Sequence, residues 1–171
     1  DDASVRSVIR GADAVVNCVG TFDRGGKNNF EAVQAVAPGR IARIAAEQGV
    51  GSLVHISAIG AAADSPSIYG QTKAAGEAAV QEAFPKAVIL RPSIVFGPED
   101  QFFNRFAEMA RIAPALPLIG GGETKFQPVF VGDVAEAVAR AVDGAVEGGR
   151  IYELGGPEAV SFRQCLELVL A

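Results

Sequence analysis

Three short apolar runs recur along the first half of the chain: Asp13 to Val19 (DAVVNCV), Ser52 to Ser57 (SLVHIS) and Ala87 to Leu90 (AVIL). None shows the strict alternation of polar and apolar residues that a strand with one wet face carries, so each reads as a strand buried on both faces. Between them lie Phe30 to Gln48 and Ser67 to Phe84, both with helical periodicity. Parallel strands need a long crossover, and helices supply the cover that a sheet buried on both faces requires. The order strand, helix, strand, helix, strand therefore predicts an α/β fold, a doubly wound parallel sheet.

The remaining punctuation refines this. Ala3 to Arg10 is amphipathic, with Val5, Val8 and Ile9 on one face and Gly11 as a stop. Gly20 to Asn29 is polar and Gly-rich, hence a loop. Pro38-Gly39 interrupts the second helical stretch, so one helix kinks there or a new one starts with Pro38 in its first turn. Gly49 and Pro85 close the two crossover helices. Beyond Leu90, Gln101 to Ile112 is helical and carries Phe102, Phe103, Phe106 and Met109; Gly120 to Gly122 marks a turn, and Phe126 to Val131 is extended. Asp133 is placed as the N-cap of a helix reaching Val142, Arg150 to Leu154 as another strand, and Ser161 with Gln164 as the capping box of a last helix. The chain opens on Asp1-Asp2 at a helix start and stops at Ala171 inside a helical pattern, which reads as a piece of something longer.

Composition narrows the function classes. A formal net charge of -5 repels phosphate backbones, so nucleic acid is excluded as a partner, as are anionic membranes unless a local patch overrides the total. No apolar run approaches the ~20 residues of a membrane-spanning helix. The two cysteines, Cys18 and Cys165, and the single histidine, His55, form no spaced ligand set, so no metal site is expected. Both thiols are expected to be buried and reduced, Cys18 inert, in a cytoplasmic setting. His55, in an apolar strand, is expected to be a packed core residue.

Chemistry concentrates at Tyr69-Gly70-Gln71-Thr72-Lys73. Positions four apart share a helix face, and an ammonium beside a phenol favours the phenolate, so the Tyr69 pKa is expected to fall below ~10. Such a tyrosine can exchange a proton with a hydroxyl or carbonyl while a hydride moves. In an open α/β sheet ligands bind at the carboxyl ends of the strands. Gly20, Ser57, Tyr69 and Ser93 all fall at or just after such ends.

The ordered set VVNCVG, VHISAIGA, YGQTK, ILRPSIVFGP and PVFVGDVAEA resembles the extended and atypical short-chain dehydrogenases/reductases, the NAD-dependent epimerase/dehydratase branch. The long block from Phe84 to Gly122, followed by KFQPVFVGDVAEAV, is most similar to the subgroup of nicotinamide-binding accessory subunits of respiratory complex I and their bacterial relatives. The resemblance covers nearly the whole chain. It implies a Rossmann-type fold, with residues 1–98 as the second half of a dinucleotide-binding domain and residues 99–171 as a small substrate-side region. It implies NAD or NADP as cofactor, with Cys18, Val19 and Gly20 lining it through their backbone. Ile56 and Ser57 would flank the nicotinamide ribose, Tyr69 and Lys73 would form the dyad, and Pro92, Ser93, Ile94 and Val95 would pass the nicotinamide ring. It further implies respiratory-chain subunits as partners and a place at the periphery of the inner membrane.

Two departures matter. Active members carry Ser or Thr just after the serine of the His55-Ile56-Ser57 strand, where this chain has Ala58. Neighbouring side chains on a strand face opposite ways, so Ser57 replaces that hydroxyl only if the backbone turns. The Gly-x-x-Gly-x-x-Gly pyrophosphate loop is also missing, and the resemblance places it on a first strand ahead of Asp1. The expectation is thus a cofactor binder with weak or no turnover. The alternative is an active oxidoreductase or epimerase on a sugar nucleotide or other hydroxylated substrate, with Tyr69 as acid/base and Ser57 completing the catalytic set.

Overall fold

The computed structural model describes residues 1–113 and 115–170; Ala171, where the helical pattern stops, lies outside the described residues. The chain divides into two compact units, Asp1–Arg91 with Ala137–Glu153, and Pro92–Glu136 with Leu154–Ala171.

The first unit holds a four-stranded sheet of β1 (Ala14–Asn17), β2 (Ser52–Ile56), β3 (Val88–Pro92) and β7 (Ile151–Leu154), in the order β1-β2-β3-β7. β1 and β2 run parallel with Ala14 opposite Ser52, and β2 and β3 run parallel with Val54 opposite Val88. The helices α1 (Asp2–Ile9), α2 (Ala37–Glu47) and α3 (Ile68–Ala83) flank it. This is the parallel, helix-covered sheet that the unalternating apolar runs require. The core joins Ile9, Ile44, Leu53, Val80 and Phe84, all nearly inaccessible to water. Two helix stops take a positive φ: Gly11 at +74° and Gly49 at +72° adopt the left-handed conformation that ends α1 and α2.

The interruption at Pro38-Gly39 resolves as the second alternative, a new α-helix with Pro38 in its first turn. A π-helical turn, Glu31–Val36, leads straight into it. The wider turn spreads the chain where α3 crosses it. A Cβ on Gly76 would collide with the Gln34 carbonyl oxygen, and one on Gly39 would meet the Ala79 Cβ at 2.8 Å. Small residues at this crossing let α3 lie close against the π-helical turn and α2.

The second unit contains β4 (Val95–Phe96) parallel to β6 (Val129–Phe130), and β5 (Lys125–Phe126) antiparallel to β8 (Val160–Ser161), with α4 (Phe103–Ile112) and α6 (Phe162–Leu170). The extended stretch expected from Phe126 to Val131 is thus two strands of two residues each. α5 (Val131–Val142) starts two residues ahead of Asp133, so Asp133 sits in its first turn and is not the cap. Its carboxylate there still favours the helix dipole. The capping box of α6 forms as expected: Gln164 N–H donates to Ser161 Oγ at 3.1 Å, and Ser161 N–H to Gln164 Oε1 at 2.7 Å. Phe102 packs edge-on against Phe106 (5.3 Å) and Phe162 (6.1 Å), whereas Phe103 turns to Phe96 (6.1 Å). The adjacent rings also meet each other edge-on at 5.1 Å, so they join these contacts into one aromatic cluster.

Candidate cofactor site at the strand ends

α3 carries Tyr69, Lys73 and Glu77 one turn apart on the same face, which is turned to the sheet. Lys73 is 5% exposed, and its Nζ donates to the carbonyl oxygen of Ile56, the last residue of β2, at 3.2 Å. A Cβ built on Gly20 would lie 4.0 Å from the same Nζ. The carboxyl ends of β1 and β2 and the middle of α3 thus converge on one ammonium. Burial pushes the Lys73 pKa down, and the neighbouring Glu77 carboxylate opposes the shift.

Tyr69 is half-buried. Phe22 stacks on its ring at 5.6 Å and 8°, and Phe30 meets it edge-on at 5.9 Å. The expected depression of the Tyr69 pKa is not found: burial raises it. The geometry gives the reason. The Lys73 ammonium lies 6.0 Å from the ring centroid and bonds to Ile56 O instead of the phenol, so nothing offsets the cost of a buried phenolate.

At the end of β1, Asn17 Oδ1 accepts from Val19 N–H at 3.1 Å while its Nδ2 donates to His55 Nδ1, also at 3.1 Å. This fixes the proton of neutral His55 on Nε2, a buried nitrogen with no hydrogen-bond partner. His55 is 1% exposed, and burial first, then the Lys73 charge, holds its pKa down to about 4. It is a packed residue, as its strand implies. Cys18 is not: its thiol is exposed, whereas Cys165 is buried. β1 ends at Asn17, so Cys18 lies beyond the last strand pairing that could have covered it.

Ser57 donates its N–H to Leu90 O at 2.7 Å, and its Oγ is buried without a partner. Ala58 opens the next turn, accepting from Ala61 N–H at 3.2 Å. In the second unit, Ser93 N–H donates to Leu154 O at 2.9 Å, Ser93 Oγ accepts from Gln127 N–H at 3.3 Å, and Ile94 O accepts from Val129 N–H at 2.9 Å. Pro92 ends β3, and Val95 pairs with Val129.

Three side chains escaped the sequence reading. Gln34, 1% exposed in the π-helical turn, donates to Thr21 O at 2.6 Å and accepts from Thr72 Oγ1 at 3.2 Å, tying the loop that carries Phe22 to α3. Glu77, 3% exposed, receives both arms of Arg91: Nε to Oε1 at 2.9 Å and a terminal nitrogen to Oε2 at 2.7 Å. The available signal was spacing: Glu77 lies one turn past Lys73 on the same helix face. Among the described residues no cluster of three or more His, Cys, Asp or Glu could hold a metal, and no helix is long and apolar enough to cross a membrane.

Comparisons with known proteins agree with this architecture. The profile of the NAD dependent epimerase/dehydratase family matches residues 1–155. The chain is 37% identical to NADH dehydrogenase (ubiquinone) 1 alpha subcomplex subunit 9, mitochondrial, of Arabidopsis thaliana, over 99% of this chain and 42% of that protein. It is 31% identical to dTDP-4-dehydrorhamnose reductase of Mycolicibacterium smegmatis, over 96% of this chain and 55% of that protein. The chain therefore spans about half or less of the curated relatives it matches. Among solved structures, a dTDP-glucose 4,6-dehydratase of Streptomyces venezuelae with NAD bound superposes with a TM-score of 0.84 at 23% identity, over 99% of this chain and 60% of that one. A dTDP-4-dehydrorhamnose reductase of Bacillus anthracis in complex with NADP gives 0.81 at 17% identity, over 99% and 66%. At these identities the likeness shows the fold, a Rossmann-like parallel sheet with flanking helices.

Proposed function

Since the chain belongs to the NAD dependent epimerase/dehydratase family, we propose that it forms the nicotinamide end of an NAD or NADP site in a protein that holds the cofactor with little or no turnover. The observation that carries this reading is the buried Lys73 ammonium at the rim of β2, with one backbone carbonyl as its hydrogen-bond acceptor. A buried charge is costly unless further partners complete its bonds. Ribose hydroxyls are acceptors suited to its remaining N–H groups.

The residues fit the group. Cys18, Val19 and Gly20 are exposed residues just past the end of β1, and Gly20 leaves its α-carbon open toward Lys73. Ile56 and Ser57 supply the rim of β2, and Pro92, Ser93, Ile94 and Val95 follow from β3 as the segment assigned to the nicotinamide ring. In this assignment residues 1–98 serve the cofactor and residues 99–171 the substrate side. The cofactor, when bound, supplies hydride chemistry. Lys73 orients it, while Tyr69 holds its proton because burial raises its pKa. A protonated phenol can donate to a carbonyl, but it is a poor base toward a hydroxyl. Ala58 offers a methyl where active members have a hydroxyl, removing a donor worth about 10²–10³ in rate. Both features favour retention over turnover. Respiratory-chain subunits are the proposed partners, and the periphery of the inner membrane, on its cytoplasmic side in a bacterium, the proposed place.

The intact Tyr69 and Lys73 pair on one helix face favours the second reading, an oxidoreductase or epimerase acting on a sugar nucleotide. One preparation tests both. Full-length protein is denatured and the released nucleotide identified by mass spectrometry, and reduced-cofactor absorbance is followed with sugar nucleotides as substrates. Tightly held NAD or NADP without turnover is the expected result. Turnover abolished by Tyr69→Phe would establish the rival, and a protein with no nucleotide and no affinity for one would overturn both.

A further inference from the structure

Lys73 and Glu77 are opposite charges four residues apart on α3, and both are almost wholly buried. At that spacing an ammonium and a carboxylate meet readily, and burial strengthens their attraction. Here they do not pair. Both Glu77 oxygens are taken by Arg91, which reaches across from β3 in a two-pronged contact. Arg91 is itself steadied by Glu153 on β7, at 3.3 Å from Glu153 Oε1. Lys73 extends the other way, to Ile56 O and the open side of Gly20.

We propose that Arg91 is a positioning residue for the cofactor site: by occupying Glu77 it keeps the carboxylate from capturing Lys73 and leaves the ammonium at the strand-end rim. This deepens the function proposed above and rests on it for the role of Lys73. The planar guanidinium suits the task because it fills both carboxylate oxygens at once, which a lysine could not do. The other titratable groups facing Lys73 are His55 on β2 and Tyr69 on α3. His55 is neutral above pH about 4, and burial keeps Tyr69 protonated, so neither competes for the ammonium.

If Arg91 is lost, Glu77 is left as a buried carboxylate without a partner, and the nearest remedy is for Lys73 to swing one turn along the helix. The test uses full-length protein as wild type, Arg91→Met, and the double variant Glu77→Gln/Arg91→Met. NAD and NADP affinity is measured by calorimetry, and the Lys73 ammonium is titrated in 15N-lysine-labelled protein. Arg91→Met is expected to weaken nucleotide binding by about tenfold or more and to raise the pH at which Lys73 titrates. The double variant is expected to recover most of the affinity, because the capturing carboxylate is gone. A purely structural cross-link between α3 and β3 predicts the opposite, since the double variant lacks that cross-link too. A double variant that binds as weakly as Arg91→Met, or an Arg91→Met protein in which Lys73 titrates as in wild type, would overturn the proposal. If wild type binds neither nucleotide, the functional reading fails, while the Lys73 titration still decides whether Arg91 controls that side chain.

Discussion

His55 ties protonation to stability. Its pKa falls from 6.5 in the unfolded chain to about 4 in the folded one, chiefly through burial. Between those values the unfolded state binds a proton that the folded state refuses, so stability is full above pH 6.5 and is lost as the pH falls toward 4. The shift corresponds to ~3 kcal/mol. Urea unfolding at pH 7.5 and pH 4.5 should show that loss in wild type and much less of it in His55→Gln, which cannot titrate. Equal pH dependence in the two proteins would mean that His55 is not the responsible group. Two residue-level expectations failed for a shared reason. Spacing placed Lys73 beside Tyr69, and an apolar run placed Cys18 in a strand, but neither rule says which way a side chain turns. Lys73 found a carbonyl, and Cys18 lay one residue past the last strand pairing.

At the scale of elements, the crossing of α3 over the π-helical turn sets where Tyr69 and Lys73 sit. Gly76 has the Gln34 carbonyl against its open side, so Gly76→Ala must push backbone from backbone. A cost on the order of 2 kcal/mol is expected, despite the better helix propensity of alanine. The matching experiment is a thermal melt of Gly76→Ala beside an alanine change at Gly25, which has nothing within reach and should melt close to wild type. Buried strands and long helices were legible because a continuous apolar run or a 3.6-residue period persists over many residues. The π-helical turn was not, because it differs from an α-helix by one hydrogen-bond step, and its cause is a helix distant in sequence. The two-residue strands of the second unit are too short to carry a period, and Asp133 marked only the first turn of α5. Of the candidate site, strand ends and helix spacing pointed to Gly20 and Lys73, which lie together at the end of β2, whereas Ile56 was indicated only by the family resemblance. The Glu77–Arg91 pair and Gln34 depend on which elements pack together.

For the molecule as a whole, β1 is an edge strand among the described residues, with β2 as its neighbour, and Val16 on it is 40% exposed. An uncovered edge templates pairing with another chain. The 171-residue chain expressed as it stands is therefore expected to self-associate, and Val16→Lys is expected to shift it toward monomer in size-exclusion chromatography. A wild-type chain that stays monomeric at high concentration would show the edge to be harmless.

The central claim is spatial: the Lys73 ammonium at the end of β2 is where a nicotinamide ribose is held. A crystal structure of the full-length protein grown with NADH or NADPH tests it directly. A ribose hydroxyl is predicted within about 3 Å of Lys73 Nζ, with Arg91 still on Glu77. A dinucleotide bound elsewhere, or one whose ribose leaves Lys73 untouched, would contradict the account.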